Sequence, residues 1–187
     1  MGDFSRVHRQ DLTDRHFAMF WELARQAGRE RSFTYCFPPM DADGFCRWMR
    51  SAGIEPWIIF HKDEPRGLFF LTDREGKSAQ VHFCTLPMGT ERIETPAGTL
   101  SALVGLGLFA LGAELWQRNI SGGFVYDTLI GLTPTCNASA LKYVHALGAI
   151  DCGIVPGACF YHDTGENVPG LYTVYTRESV PGWTANL

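Results

Sequence analysis

A chain of 187 residues and 20.8 kDa suits one domain with a single hydrophobic core, and we expect residues 1 to 187 to form that domain. Hydrophobic residues make up 45% and aromatic residues 13% of the sequence, which excludes general disorder. The formal net charge of −4 and isoelectric point near 5.8 give no basic surface of the kind that nucleic-acid-binding proteins carry. The polar amino terminus contains no apolar signal segment, so a cytoplasmic location is the default expectation.

The cysteines and histidines lack the spacings of metal-binding motifs. The six cysteines form no C-x-x-C pair, and the six histidines form no H-x-x-x-H pattern. We therefore expect reduced thiols and no metal site.

The amino-terminal part of the chain predicts one strand followed by two helices. The strand covers Phe4 to Arg9, and Thr13 caps a first helix that Gly28 ends. A second helix begins near Asp41 or Asp43, and the spacing of its apolar residues continues until Gly53.

The next part of the chain predicts three successive antiparallel strands. Residues 56–61 and 67–72 form a hairpin around turn residues 62–66. A second turn at residues 73–77 leads into the central strand, residues 79–86.

The charge-free segment from Ala97 to Ala113 predicts a central helix. Thr95 is a good N-cap, and Pro96 is favoured at the first helical position. Both faces of this helix are apolar, so we expect it to be covered on most sides, with Gly98, Gly105 and Gly112 forming one small face that permits close approach. A membrane span is disfavoured, because the segment is shorter than about 20 residues and has no flanking Lys/Arg cluster.

The carboxy-terminal part predicts a buried strand, a helix and two final strands. The strand covers residues 127–132, and the helix covers residues 138–147 before Gly148. The last strands cover residues 150–155, extended by 159–162, and residues 171–176. The order β-α-α-β-β-β-α-β-α-β-β indicates an α/β (α+β) fold with a mixed central sheet of about six to seven strands and helices on both faces.

This order, together with the segment N-A-S-A-L-K-Y-V-H-A-L-G-A from Asn137 to Ala149, resembles the GNAT N-acetyltransferase superfamily. The family motif is N-x-x-A/S-x-x-x-x-x-x-L-G-F. Asn137, Ala140, Leu147 and Gly148 match it in register, and Ala149 stands where the family has phenylalanine. The turn D-E-P-R-G before a strand also looks like the family's D-G-x-P-x-G turn.

The resemblance implies that acetyl-CoA inserts between the central strand and the strand at residues 127–132. These two strands should run parallel, because a helix joins them, and splay apart near Leu86 and Thr133. A gap filled by Met88, Ile93 or Trp116 would leave no room for the ligand. Backbone groups at the end of the central strand should bind the pantetheine arm, and the central helix N-terminus should bind the diphosphate. The candidate cofactor-binding residues are Thr85, Leu86, Met88, Arg92, Gly98, Thr99 and Asn137.

The sequence departs from the family at the diphosphate loop. The expected Q/R-x-x-G-x-G/A motif is absent from residues 88–99. Gly89 and Gly98 could still expose amides and Arg92 could meet a phosphate, whereas Glu91 and Glu94 place negative charge there.

Two residues are catalytic candidates. His82 on the central strand could remove the proton of the amine, because imidazole titrates near neutral pH; a structural histidine is the alternative. The family's catalytic tyrosine position holds Val144, and Tyr143 is displaced by about 100° around the helix, so a core role is the alternative for Tyr143.

Two functions follow from this resemblance. The first is an enzyme, an N-acetyltransferase acting on an amine of a small molecule or peptide, with no nucleic-acid or membrane partner. The second is a catalytically inactive GNAT-like fold that acts as a binding or structural protein, for example in a homo-oligomer or a larger assembly. The sequence does not name the acceptor.

Overall fold

Nine strands and four helices make up residues 4–30, 40–95 and 98–180, which the computed structural model describes. The strands are β1 (Phe4–His8), β2 (Glu55–His61), β3 (Glu64–Glu75), β4 (Ser78–Thr85), β5 (Arg92–Thr95), β6 (Gly98–Ser101), β7 (Thr128–Pro134), β8 (Ile150–Tyr161) and β9 (Glu166–Tyr175). The helices are α1 (Asp14–Gln26), α2 (Ala42–Met49), α3 (Ala102–Leu115) and α4 (Ala138–Ala146).

Seven of these strands form one mixed sheet in the order β1-β2-β3-β4-β7-β9-β8. The β4–β7 pair is parallel, and every other neighbouring pair is antiparallel. The predicted α/β fold with a mixed sheet of six to seven strands is therefore confirmed. Strands β5 and β6 form a separate hairpin, which the sequence did not predict.

Helices α1 and α2 cover one face of the sheet. The aromatic residues of α1 pack with Phe45 and Met49 of α2 against Ile58, Phe70 and Cys84 of the sheet. The side chain of Asp41 accepts a hydrogen bond from the Gly44 amide (2.7 Å), so Asp41 is the N-cap of α2. Helix α2 ends at Met49, so the predicted stop at Gly53 is four residues too late.

The predicted start of the central helix at Thr95 and Pro96 is wrong. Thr95 lies in β5, and the helix begins after Ser101, whose hydroxyl accepts a hydrogen bond from the Val104 amide (3.3 Å). Gly98 lies in β6 with a φ of 106°, so it does not share a helix face with Gly105. Pro96 and Ala97 lie outside the described residues.

Helix α3 is covered on most sides, as the sequence predicts, and two glycines explain how closely its neighbours approach. A Cβ atom at Gly105 would collide with Ile93 of the β5–β6 hairpin. A Cβ atom at Gly107 would collide with the Tyr143 hydroxyl of α4 and lie 2.7 Å from Cδ2 of Leu147, the C-cap of that helix. The hairpin and α4 therefore pack on α3 at glycine positions. No helix in the described part of the chain is long and apolar enough to cross a membrane.

Candidate active site

The sheet opens between β4 and β7. The two strands pair in parallel at Ser78–Thr128, Ala79–Leu129 and Gln80–Ile130, and described residues beyond those positions form no pair between them. Strand β4 continues with β3 to Thr85, and β7 continues with β9 to Pro134, so each strand follows its other neighbour. The predicted parallel splay is confirmed, but it begins after Gln80 instead of near Leu86.

A cleft of about 830 Å³ passes through this opening. On the α1–α2 face of the sheet, Gln80 and His82 line the cleft. On the α3–α4 face, Val81 and Phe83 line it together with Tyr143. Met88, Ile93 and Trp116 do not line the cleft, so the predicted obstruction by these three residues does not occur in the described structure.

Backbone groups of β4 point into the opening. The Leu86 amide donates to the Arg66 carbonyl of β3 (2.8 Å), so Leu86, a predicted cofactor-binding residue, does not direct its N–H into the opening. Backbone groups alternate between the two edges of a strand, so the N–H and C=O groups of Phe83 and Thr85 point away from β3. These two residues therefore present an open strand edge along the gap, as predicted for Thr85.

His82 lies on the α1–α2 side of the cleft. Its ring stacks on Phe70 with a centroid separation of 4.5 Å and an interplanar angle of 7°. Its Nε2 atom lies 2.9 Å from the Thr72 hydroxyl. Burial lowers the pKa of His82 from 6.5 to about 4, opposed by the charge of Asp73, so the imidazole is neutral at neutral pH.

Tyr143 also lines the cleft, on the α4 side. Its hydroxyl donates a hydrogen bond to the Leu103 carbonyl of α3 (3.2 Å), and its ring meets Phe83 edge-on at 6.1 Å. Burial raises the pKa of Tyr143 well above its ordinary value, so the hydroxyl keeps its proton at neutral pH. The hydroxyl is held against α3 in this structure, and its role as the acid stays a prediction.

Asn137 lines the cleft at the beginning of α4. Its side-chain oxygen accepts a hydrogen bond from the Ala140 amide (3.1 Å), so Asn137 is the N-cap of this helix. The cap fixes the start of α4, which brings Ala140 and Tyr143 to the cleft.

The other predicted cofactor-binding residues lie in or near the β5–β6 hairpin. Arg92 donates to the Thr99 carbonyl (2.7 Å), and the Thr99 hydroxyl donates to Glu94 (2.7 Å). Gly98 lies in β6, and Met88 packs against the core beside α3. Gly98 and Thr99 therefore do not lie in the first turn of α3, and none of these four residues lines the cleft. Whether they contact a ligand stays a prediction.

The amino-terminal end of α3 is occupied by groups of the protein itself. The Ala102 amide donates to the Glu91 carbonyl (2.9 Å), and the Val104 amide donates to Ser101. The Glu91 carboxylate pairs with Lys62 and lies 3.1 Å from His61 Nε2, which fixes the hairpin to the β2–β3 turn. Two of the first amides of α3 are therefore engaged within the protein, whereas the opening between β4 and β7 keeps a free strand edge.

The cleft is also lined by residues that no sequence pattern indicated as functional, chiefly Trp48, Thr72 and Asp73. Asp73 has a φ of 46° at an irregularity in the pairing of β3 with β4. Aspartate tolerates this conformation better than most residues, but a turn assignment from the sequence does not say which way its side chain points. Among the described residues, no group of histidines, cysteines and acidic residues could hold a metal ion.

Several solved structures with the same fold are acetyltransferases. Spermidine N-acetyltransferase from Vibrio cholerae, in complex with CoA and spermine, matches with a TM-score of 0.69 and 12% identity over 96% of this chain and 98% of that chain. An acetyltransferase from Salmonella typhimurium that modifies the N-terminal serine of a 50S ribosomal subunit protein matches with a TM-score of 0.71 and 10% identity over 94% and 96%.

A Salmonella typhimurium structure described as a proposed acetyltransferase with its cofactor acetyl-CoA has a TM-score of 0.60 and 11% identity over 98% and 99% of the two chains. These matches confirm the GNAT fold that the sequence resemblance implied. No protein-family model and no curated protein sequence matches the chain.

Proposed function

We propose that this chain is an N-acetyltransferase that transfers an acetyl group from acetyl-CoA to an amine. The observation that carries the proposal is the opening between β4 and β7, where Phe83 on the open edge of β4 lines a cleft through the sheet. Structures with this fold include complexes with CoA and with acetyl-CoA, which supports acetyl-CoA as the donor.

The two sides of the cleft suit two substrates. The donor would place its acyl-pantetheine arm along the open edge of β4, where backbone groups can pair with its amides as a further strand would. The acceptor would enter from the α1–α2 side, where Trp48, Asp73 and His82 lie. The two substrates would then meet inside the sheet, which favours direct transfer without an acyl-enzyme intermediate.

In the reaction, the amine nitrogen attacks the carbonyl carbon of the thioester. A C–N bond forms, the C–S bond breaks, and CoA leaves as a thiolate. The proton that the amine loses goes to neutral His82 or to an ordered water, and the thiolate takes a proton from Tyr143 or from solvent. The acceptor is an amine of a small molecule or a peptide; in support, one structural neighbour is a spermidine N-acetyltransferase and another modifies the N-terminal serine of a ribosomal protein.

The second candidate function is a GNAT-like protein that binds a partner without catalysis. The observation in its favour is the occupied end of α3, where Glu91 and Ser101 engage two of the first amides of the helix. A homo-oligomer would be compatible with either function.

Thermal unfolding with and without acetyl-CoA distinguishes the two functions. A ligand at 100 times its dissociation constant adds about 2.7 kcal/mol, which raises the melting temperature of a chain this size by about 5 to 11 °C. Release of free thiol in the presence of an amine panel then measures transfer. No thermal shift at millimolar acetyl-CoA would favour the non-catalytic function.

A matched pair of variants on α4 tests whether the cleft is the donor site. Ala140→Trp places a large ring in the cleft, whereas Ser139→Trp places it on an exposed position outside the lining. We expect A140W to lose the acetyl-CoA shift and S139W to keep it. Equal binding by both variants would place the donor elsewhere.

A further inference from the structure

Three side chains form a hydrogen-bonded chain on the α1–α2 side of the cleft. The Thr72 hydroxyl donates to Asp73 Oδ2 (3.0 Å) and lies 2.9 Å from His82 Nε2. All three residues line the cleft. The chain runs from the half-buried imidazole of His82 to the exposed carboxylate of Asp73.

The order of the chain fixes the direction of each hydrogen bond. An ionised carboxylate can only accept hydrogen bonds, so the Thr72 hydroxyl uses its single proton to donate a hydrogen bond to Asp73. The hydroxyl oxygen is then the acceptor for His82, and Nε2 must carry the ring proton. In a neutral imidazole this leaves Nδ1 with a lone pair, and Nδ1 makes no hydrogen bond to another described residue.

The surroundings favour this neutral form of His82. Phe70 stacks on the ring, and burial holds the pKa of His82 near 4. Besides His82, the described residues that line the cleft include two charged side chains, Asp73 and Arg74, and two tyrosines, Tyr143 and Tyr175. The guanidinium of Arg74 pairs with Glu55. Asp73 is the only acidic side chain among the described residues that line the cleft.

Asp73 lies in the left-handed region of backbone conformation. Its φ of 46° is uncommon for a residue other than glycine, and the register of β3 with β4 shifts between Thr72 and Glu75. Such conformations occur often at functional sites. Here the residue with this conformation is the one that accepts the hydrogen bond from the Thr72 hydroxyl.

We propose that Thr72 and Asp73 are positioning residues for His82, which orient its ring with Nε2 protonated and Nδ1 ready to take the proton of an acceptor amine. This inference rests on the proposed acetyl transfer. When the amine attacks, its proton moves to Nδ1, and the imidazolium that forms keeps its Nε2–H bond to Thr72. The Asp73 carboxylate stabilises the new positive charge across Thr72, and the imidazolium later returns the proton to solvent.

The tautomer of His82 can be measured without any ligand. Two-bond ¹H–¹⁵N correlation spectra of protein labelled at histidine nitrogens distinguish the two ring nitrogens, and the variant His82→Gln assigns the signal. We expect the wild type at pH 7 to carry its proton on Nε2. A wild-type ring protonated on Nδ1 would overturn the proposal.

Substitutions of Thr72 and Asp73 should change the tautomer of His82 in different ways. Asp73→Gly removes the carboxylate at a φ that glycine adopts freely, so the Thr72 hydroxyl can donate to Nε2 and the ring proton should move toward Nδ1. Thr72→Val should also lose the single tautomer, and Thr72→Ser should retain it. Asp63→Gly is the matched control, because Asp63 has a φ of 62° in the β2–β3 turn and does not line the cleft. A D73G spectrum identical to wild type would overturn the proposal.

Kinetics separate the positioning role from the proposed function. We expect kcat to fall roughly 10- to 100-fold in T72V and D73G, with the KM for acetyl-CoA unchanged, whereas T72S should keep much more of the kcat than T72V and D63G should stay within about twofold of wild type. No acetyl-CoA turnover in the wild type would overturn the proposed function. Normal turnover in T72V and D73G, with both variants folded by circular dichroism, would overturn the positioning role alone.

Discussion

The gap between β4 and β7 and the amino-terminal end of α3 use their backbone groups differently. At the gap, Phe83 and Thr85 direct polar groups away from β3 along an open strand edge. At the end of α3, Ala102 and Val104 donate to Glu91 and Ser101 within the protein. Backbone polar groups need hydrogen-bond partners, so the open edge is available to a ligand, whereas two of the first amides of α3 already have partners within the protein.

This difference indicates where ligand-binding free energy would come from. An unoccupied helix N-terminus attracts a phosphate because its free amides and the helix dipole favour negative charge. Here the hairpin adds Glu91 and Glu94 near that end and uses one of its amides. We therefore expect recognition of the donor to rely on the acyl-pantetheine arm more than on the diphosphate.

One titratable group in each region should make the free energy of unfolding depend on pH, and the two pH ranges should differ. His82 has a pKa of about 4 in the folded protein and near 6.5 when unfolded, so the unfolded chain binds an extra proton between these values. Stability should fall from pH 6.5 to pH 4 by at most about 3 kcal/mol, and Gln at position 82 should remove that loss. Urea unfolding of wild type and H82Q at several pH values measures it, and equal pH dependence would contradict the buried neutral imidazole.

Glu91, next to the β5–β6 hairpin, should change the free energy of unfolding at lower pH than His82 does. Lys62 and His61 lower the pKa of Glu91 below its ordinary value of 4.5. Stabilisation by this carboxylate is present above pH 4.5 and is lost as the pH falls through the lowered pKa. The variant Glu91→Gln should therefore differ from wild type in its pH dependence only under more acidic conditions than H82Q does.

Two separate variants, each adding one methyl group to α3, also test the comparison: one faces α4 and the other faces the hairpin. Gly107→Ala should destabilise the protein by about 1 to 2 kcal/mol, because overpacking against Tyr143 and Leu147 outweighs the helix preference of alanine. We also expect about tenfold weaker acetyl-CoA binding, since α4 borders the gap. Calorimetric titration and thermal unfolding measure the two effects.

Gly105→Ala is the control on the hairpin side. Its Cβ meets the end of the Ile93 side chain, which is half-buried and can move with the hairpin. We expect a stability change within about 1 kcal/mol and unchanged acetyl-CoA binding. Loss of binding in G105A would show that the hairpin belongs to the donor site.

Donors of different length sharpen the comparison further. If the diphosphate gains little from α3, then kcat/KM for acetyl-CoA should exceed that for S-acetyl-pantetheine by less than about tenfold, or about 1.4 kcal/mol. Initial rates with both donors and one amine give this ratio. A preference of a hundredfold or more would mean that a diphosphate site exists and that the hairpin must move to form it.

The smallest effect is expected at Arg92. Its guanidinium bonds the Thr99 carbonyl across the hairpin, so Arg92→Ala should change acetyl-CoA affinity by less than about twofold. Titration at low ionic strength gives any phosphate contact its best chance to appear. Tenfold weaker binding would instead support the sequence-based assignment of Arg92 to the donor site.

Local signals in the sequence predicted most of the fold. Capping residues at Asp41 and Asn137 specify where two helices begin, because a side-chain oxygen beside the right amide needs only nearby residues. The parallel pairing of β4 with β7 also followed from the sequence, since a strand–helix–strand crossover within one sheet runs parallel. The sequence also indicated three residues that line the cleft, because each lies on or next to a strand or helix that its pattern predicts: His82, Asn137 and Tyr143.

Tertiary contacts decided the rest. The sequence at residues 95–97 is compatible with a helix start, but β5 and β6 pair as a hairpin whose Ile93 packs on Gly105, and Ser101 caps the helix instead. The direction of the Tyr143 hydroxyl depends on the absence of a side chain at Gly107, which lies 36 residues earlier. The link between Asp73 and His82 depends on a register shift between strands. Contacts between distant residues select one local conformation among several of similar free energy, and a single sequence does not reveal which contact prevails.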